Sequence, residues 1–211
     1  MSSAPVPAQV PLRMALSGVG VAYALNPAVR APGRMQITSA RAYAIPELTE
    51  IAAVLEGKYV RFGLARLGFE GYHESTLDVA ARLPGVAGLR LRVRHARLPG
   101  FRAQASLRPE LGVVRPPFGV VLSPSGFAFG GVYEVPPWTF LADISTDRGH
   151  LDGGVAWLYR VSAVTLLGST GINPERLGLG MLLQTGPLLL AIAVNRHVEL
   201  GWSQAVGVAW R

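Results

Sequence analysis

The stretch VELGWSQAVGVAWR, residues 198–211, decides how this chain folds. Its even positions carry Val198, Leu200, Trp202, Gln204, Val206, Val208 and Trp210, while its odd positions carry Glu199, Gly201, Ser203, Ala205, Gly207, Ala209 and Arg211. Side chains alternate between the two faces of a strand with period two, so the stretch reads as one long strand with a bulky apolar face and a small or polar one. What the apolar face touches then fixes the class of protein.

The same alternation recurs upstream. In GLRLRVRHARL, Leu89, Leu91 and Val93 alternate with Arg90, Arg92 and Arg94. In FRAQASLR, Phe101, Ala103, Ala105 and Leu107 alternate with Arg102, Gln104, Ser106 and Arg108; in LDGGVAWLYR, Leu151, Val155, Trp157 and Tyr159 oppose Asp152, Gly154, Ala156 and Arg160. RLGLGMLLQ and PLLLAIAVN behave likewise. Turn signals such as Pro32-Gly33, Pro84-Gly85, Pro116-Pro117, Pro136-Pro137 and Thr185-Gly186-Pro187 separate these segments. The pattern predicts about fourteen strands, with twelve as the alternative, near 34–44, 50–57, 58–67, 74–83, 87–97, 101–111, 113–122, 127–135, 138–145, 150–159, 161–169, 175–184, 187–195 and 198–210. Short connections make neighbours antiparallel, and so long a meander closes into a barrel.

Composition says which way the barrel faces. Hydrophobic residues are 50% of the 211 and charged residues 16%, well below the roughly 25% of an average soluble domain. Mean hydropathy is +0.32. No apolar run approaches the roughly 18 residues of a spanning helix; the longest, PLLLAIAV at 187–194, is under half that. A soluble sandwich needs a polar outer face, yet the face opposite the bulky one is largely Gly and Ala with scattered charge. A transmembrane barrel, with an apolar band outside and a mixed lumen, fits better. Trp202 and Trp210 share a face eight residues apart, about 26 Å along a strand and roughly 20 Å along the membrane normal after tilting, near the separation of two interfacial girdles. With Trp157 they are the expected lipid-facing anchors.

The 20 Lys and Arg residues outnumber the 13 Asp and Glu, and all but one of them are Arg. The ladder Arg90, Arg92, Arg94, with Arg61 and Arg102 on neighbouring strands, has two readings. It attracts anions in the lumen, or it pairs with Asp78, Glu74 and Glu110 in a satisfied polar interior. Nucleic acid is not expected, because no aromatic residues interleave with these arginines as a stacking platform requires. The four His residues form no zinc or hydrolase motif, and the chain has no Cys, so neither an enzymatic activity nor a cofactor or metal is expected. His197 and Glu199 read as a structural pair on the inner face, and Asp143 and Asp152 as inward ion-pair partners.

Short motifs in order resemble one family. GVGVAYALNPA (18–28), YAIPEL (43–48), FGLARLGFEGYHESTLDVA (62–80), ELGVVRPP (110–117), FLADIS (140–145), LDGGVAW (151–157) and the run 176–210 resemble the outer-membrane barrels of the long-chain fatty-acid transporter type, nearest the barrel subunits of the type IX secretion system. The resemblance implies an all-β, closed, up-and-down barrel over residues 34–211 and an N-terminal segment, 1–33, that plugs the lumen through Asn26, Pro27 and Ala28. It implies Tyr72 and Glu74 at a strand start. The chain is shorter than the family, lacks its long loops, ends on Arg211 after Trp210, and shows no compact signal peptide. Residence in the bacterial outer membrane is expected, with outer-membrane lipid and other envelope or secretion proteins as partners. The leading expectation is a membrane-embedded scaffold of an envelope or secretion assembly. The alternatives are passive transport of small hydrophobic or amphipathic, even anionic, solutes past the plug, and a soluble lipid-binding barrel.

Overall fold

A computed structural model describes residues 26–29, 34–41, 45, 48–69, 71–172 and 175–210. Among the described residues, fourteen strands follow one another: β1 Met35–Arg41, β2 Thr49–Glu56, β3 Val60–Phe69, β4 Tyr72–Arg82, β5 Ala87–Arg97, β6 Gln104–Arg115 and β7 Phe118–Ser123. The second half comprises β8 Gly126–Val135, β9 Trp138–Asp147, β10 His150–Val161, β11 Val164–Ile172, β12 Glu175–Thr185, β13 Leu188–His197 and β14 Gly201–Trp210. Each pairs antiparallel with its neighbours in sequence, and β1 closes the barrel on β14 from Met35 opposite Trp210 to Arg41 opposite Gln204. Fourteen strands about 4.8 Å apart and tilted near 40° give a wall of roughly 14 Å radius, wide enough to hold more than side chains.

The alternation seen in the C-terminal stretch sets the two faces. On β14, Val206 and Trp210 are 57% and 53% exposed, whereas Ala205 and Ala209 are 3% and 1% exposed. The bulky face therefore points out of the barrel and the small face into it. The same holds around the wall: Ile37, Leu64, Leu107, Phe140, Val155, Leu179 and Ile192 face outward. This inverts a soluble protein and matches a membrane-spanning barrel. Trp202 and Trp210 lie at opposite ends of the outer face, and Arg196 lies 5.9 Å over the Trp202 ring. Trp157 joins Trp138, Phe140 and Tyr159 in an aromatic cluster at the end that carries Trp210, with Trp138 and Tyr159 centroids 4.4 Å apart.

Several expected strand limits move, and three of them have a plain local reason. β6 continues to Arg115, because Pro116 and Pro117 cannot donate to a ladder and so form the turn themselves rather than sit inside a strand at 113–122. β10 runs to Val161 and turns at Ser162-Ala163, where Ser162 adopts φ 52°. Val198, Glu199 and Leu200 form the turn into β14, so the last strand starts at Gly201. Arg148 and Gly149, with φ of 50° and 85°, form the paired left-handed turn that suits the twist of a two-residue hairpin.

β1 begins and β14 ends at the same end of the barrel, called here the terminal end. β5 and β6 are joined at the other, distal end by the connection 98–103.

Candidate functional site: the lumen

Register brings charges from five consecutive strands onto one side of the interior. Arg90 stands opposite Glu110 and Ala80, Arg92 opposite Asp78 and Arg108, and Arg61 opposite Glu56. The pairs close into a network. Arg90 Nε donates to Glu110 Oε2 at 2.7 Å, with both side chains 4% exposed. Arg92 donates to Asp78 at 3.1 Å and lies 3.7 Å from Glu110, which also takes Arg108 at 3.4 Å. Arg94 pairs with Glu74, which accepts a 2.9 Å bond from Tyr72 Oη. Arg82 and Arg61 both approach Glu56, Arg61 at 3.9 Å. Of the two readings of the ladder, ion pairing describes its resting state. Such a strip has donors and acceptors in alternation, a chemistry that suits binding of a carboxylate or phosphate at an arginine in place of a wall carboxylate.

A cavity of about 300 Å³ lies against this strip, lined by Glu50, Arg61, Glu74, Thr76, Asp78, Arg92 and Arg94 together with Ala52, Val54 and Ala65. The wall from β10 to β14 is different in kind. It presents Gly154, Ala156, Gly180, Ala191, Ala193, Ala205 and Ala209 inward, relieved by Asp152 paired with Arg176. One side of the lumen is thus charged, and the other is mostly Gly and Ala with Leu167, Leu182 and Leu189 among them.

Asn26, Pro27 and Ala28 lie inside the barrel. Asn26 Nδ2 donates to the carbonyls of Val120, at 2.9 Å, and Val113, at 3.3 Å, and its Oδ1 accepts from Ala28 N at 2.9 Å. Asn26 and Pro27 are fully buried. Their seat is a pair of facing glycines, Gly88 on β5 and Gly112 on β6. A Cβ at Gly112 would stand 2.0 Å from Asn26 Oδ1, and one at Gly88 would stand 2.5 Å from Ala28 N. The remainder of the expected plug, in 1–25 and 30–33, lies outside the described residues.

Other expected residues fall as follows. Arg61, Arg90, Arg92 and Arg94 point inward, while Arg102 does not, because β6 starts at Gln104 and leaves Arg102 exposed in the 98–103 connection. His197 ends β13, and its Nδ1 accepts from Glu199 N at 3.2 Å and Leu200 N at 3.3 Å, so it caps the turn; Glu199 is in that turn and not beside it on a strand face. Asp152 is inward and paired, and Asp143 is inward opposite Gly130 and Gly154. Glu56, Arg82, Arg108 and the two seat glycines were not singled out by sequence, although the period-two pattern places Arg108 on the inner face. Among the described residues, no three His, Asp or Glu side chains gather as a metal site.

A closed antiparallel wall with an apolar exterior and a charged interior defines a transmembrane β-barrel of the outer-membrane kind. Among solved structures, the barrel is similar to the Acinetobacter baumannii outer membrane protein Omp33, with TM-score 0.58 and 10% identity, covering 85% of this chain and 98% of that one. The KdgM porin (TM-score 0.48, 7% identity, 84% and 98% covered) and a mutant of the Rh. blastica porin (0.46, 10%, 83% and 97%) overlap too loosely to carry an argument. At these identities the likeness is one of fold. No protein-family model and no curated protein matches the sequence, and nothing in these neighbours supports the fatty-acid transporter or type IX secretion branch.

Proposed function

We propose that this chain is a non-enzymatic barrel of the bacterial outer membrane through which small charged or amphipathic solutes diffuse passively. The observation that carries the reading is the cavity of about 300 Å³ beside the arginine and carboxylate strip, a polar path inside a wall whose outside is apolar. Its mixed lining suits a solute with an anionic head more than a purely hydrophobic one. The Asn26-Pro27-Ala28 turn narrows the lumen next to β5 and β6, so passage is restricted and rises when the turn leaves its glycine seat. The family resemblance implies that Asn26, Pro27 and Ala28 are residues of an N-terminal plug.

A scaffold in an envelope or secretion assembly is the second reading, favoured by the short connections, such as the two-residue turns at 116–117, 124–125, 136–137 and 148–149. Planar-bilayer conductance and liposome swelling separate the two. Transport requires measurable flux of small anions, increased by deleting residues 1–33; a folded, inserted barrel that stays silent in both forms leaves the scaffold.

A further inference from the structure

The outer face is not uniformly apolar. Across β3, β4 and β5 the register aligns Arg66, Ser75 and His95, and one step closer to the distal end it aligns Arg41, Thr49, Gly68, His73 and Arg97 from β1 to β5. All of these side chains lie on the outward parity, with Arg41, Arg66, His95 and Arg97 exposed. No carboxylate among the described residues forms an ion pair with Arg41, Arg66, His73, His95 or Arg97, whereas every lumenal arginine of β3 to β6 has one. The His73 ring occupies the space above Gly68, where a Cβ would stand 2.9 Å from its Nδ1.

The wall is grooved along these two rows and one step below them. A hollow of about 770 Å³ runs over Ala53 and the backbone of Ala65, whose side chain faces the lumen, between Ile51, Leu64, Leu77 and Val93, and opens at its distal end on Arg66, His73 and His95. Ala53 and the strand backbone make the floor, and the larger apolar side chains make the sides. Leu64 and Leu77 face each other one outward step, about 7 Å, below Arg66 and Ser75. Apolar depth therefore gives way to unpaired positive charge over the distance that separates the top of an acyl chain from its headgroup. The two cationic rows cover neighbouring strands about 4.8 Å apart, so their width approaches 20 Å, more than a single phosphodiester headgroup fills.

We propose that this groove binds one multiply phosphorylated lipid of the leaflet at the distal end. An acyl chain lies along Leu64, Leu77 and Val93, one phosphate lies between Arg66 and His95, and a second lies against the row of His73 and Arg97. The proposal rests on the reading of the chain as a membrane barrel. Charge-assisted bonds from Arg to phosphate supply orientation, and the groove supplies the apolar burial.

Native mass spectrometry of the full chain in a zwitterionic detergent tests it, with diphosphoryl lipid A, phosphatidylglycerol and phosphatidylcholine as probes. Heat-shifted migration on a detergent gel first establishes that each variant is a folded barrel; loss of that shift in the wild type would remove the membrane-barrel reading itself. The wild type should retain one lipid A at concentrations where phosphatidylcholine is not retained. Arg66→Gln/His95→Gln should weaken retention at least tenfold, and the milder Arg66→Lys by less, while Arg115→Gln at the terminal end should leave it unchanged. Undiminished lipid A binding in the folded double variant, or equal retention of phosphatidylglycerol, would overturn the proposal.

Discussion

The Asn26 side-chain oxygen occupies the space that a side chain at Gly112 would take, with only 2.0 Å between them had Gly112 a Cβ. A valine at 112, or at Gly88 opposite it, cannot coexist with the turn. Overpacking of this kind costs about 1–3 kcal/mol when the structure yields. Gly88→Val should therefore unseat the Asn26-Pro27-Ala28 turn while the barrel still forms. A water-soluble maleimide should then label Ala28→Cys severalfold faster in that background than in the wild-type barrel, and conductance should rise. Equal labelling rates would mean that the glycines do not hold the turn.

Glu110 serves three arginines, whereas Arg90 is one of the three. Removing one partner of a buried pair costs about 3–5 kcal/mol because the other charge stays buried. Arg90→Ala leaves Glu110 with Arg92 and Arg108, so it should fall at the lower end of that range, and Glu110→Ala at the upper. Urea unfolding in lipid vesicles measures the order, and the reverse order would contradict the network described here.

Trp157 lies against Gly168, where a Cβ would come within 2.4 Å of the indole. The two are paired across β10 and β11 on the outer face. Gly168→Val should push the indole off the wall and away from Trp138, shifting the tryptophan emission and lowering stability by about 1–3 kcal/mol. An unchanged spectrum would place Trp157 elsewhere.

Much of this architecture was legible because period two survives even where composition is biased. The C-terminal stretch and the Leu89 to Arg94 ladder reveal face and orientation with no partner in view. The limits of β6 and β10 were not legible, because an apolar residue just before a turn looks like one just after it, as Val113 and Val161 do. Ion-pair partners were only half legible. Glu74, Asp78 and Glu110 share the expected face, but which arginine each one meets depends on the stagger between strands, and sequence does not carry that. Glu56 escaped because it ends β2, where a charge reads as part of a turn. The outward pair Arg66 and His95 escaped for the same reason, each looking like a rim residue until the register lined them up across β4.

Lipid contact also sets the cost of a charge. Val206, midway along β14, is outward, and its neighbour Ala205 is inward. Val206→Arg should cost about 2–4 kcal/mol in vesicle unfolding, the penalty for a cation near the bilayer midplane. A serine at Ala205, facing the lumen, should cost much less. Equal costs at the two sites would deny the two-faced wall.

The most direct test of the account uses the absence of cysteine from the sequence, which makes any introduced thiol the sole label site. A polarity-sensitive fluorophore on Cys at 205, 206, 207 or 208, one per variant, is reconstituted into vesicles containing a lipid quencher attached to the acyl chain. Strong quenching at 206 and 208 with little at 205 and 207 is the predicted result. Quenching that ignores the alternation, or that favours 205 and 207, would contradict a barrel whose Val and Trp face meets lipid.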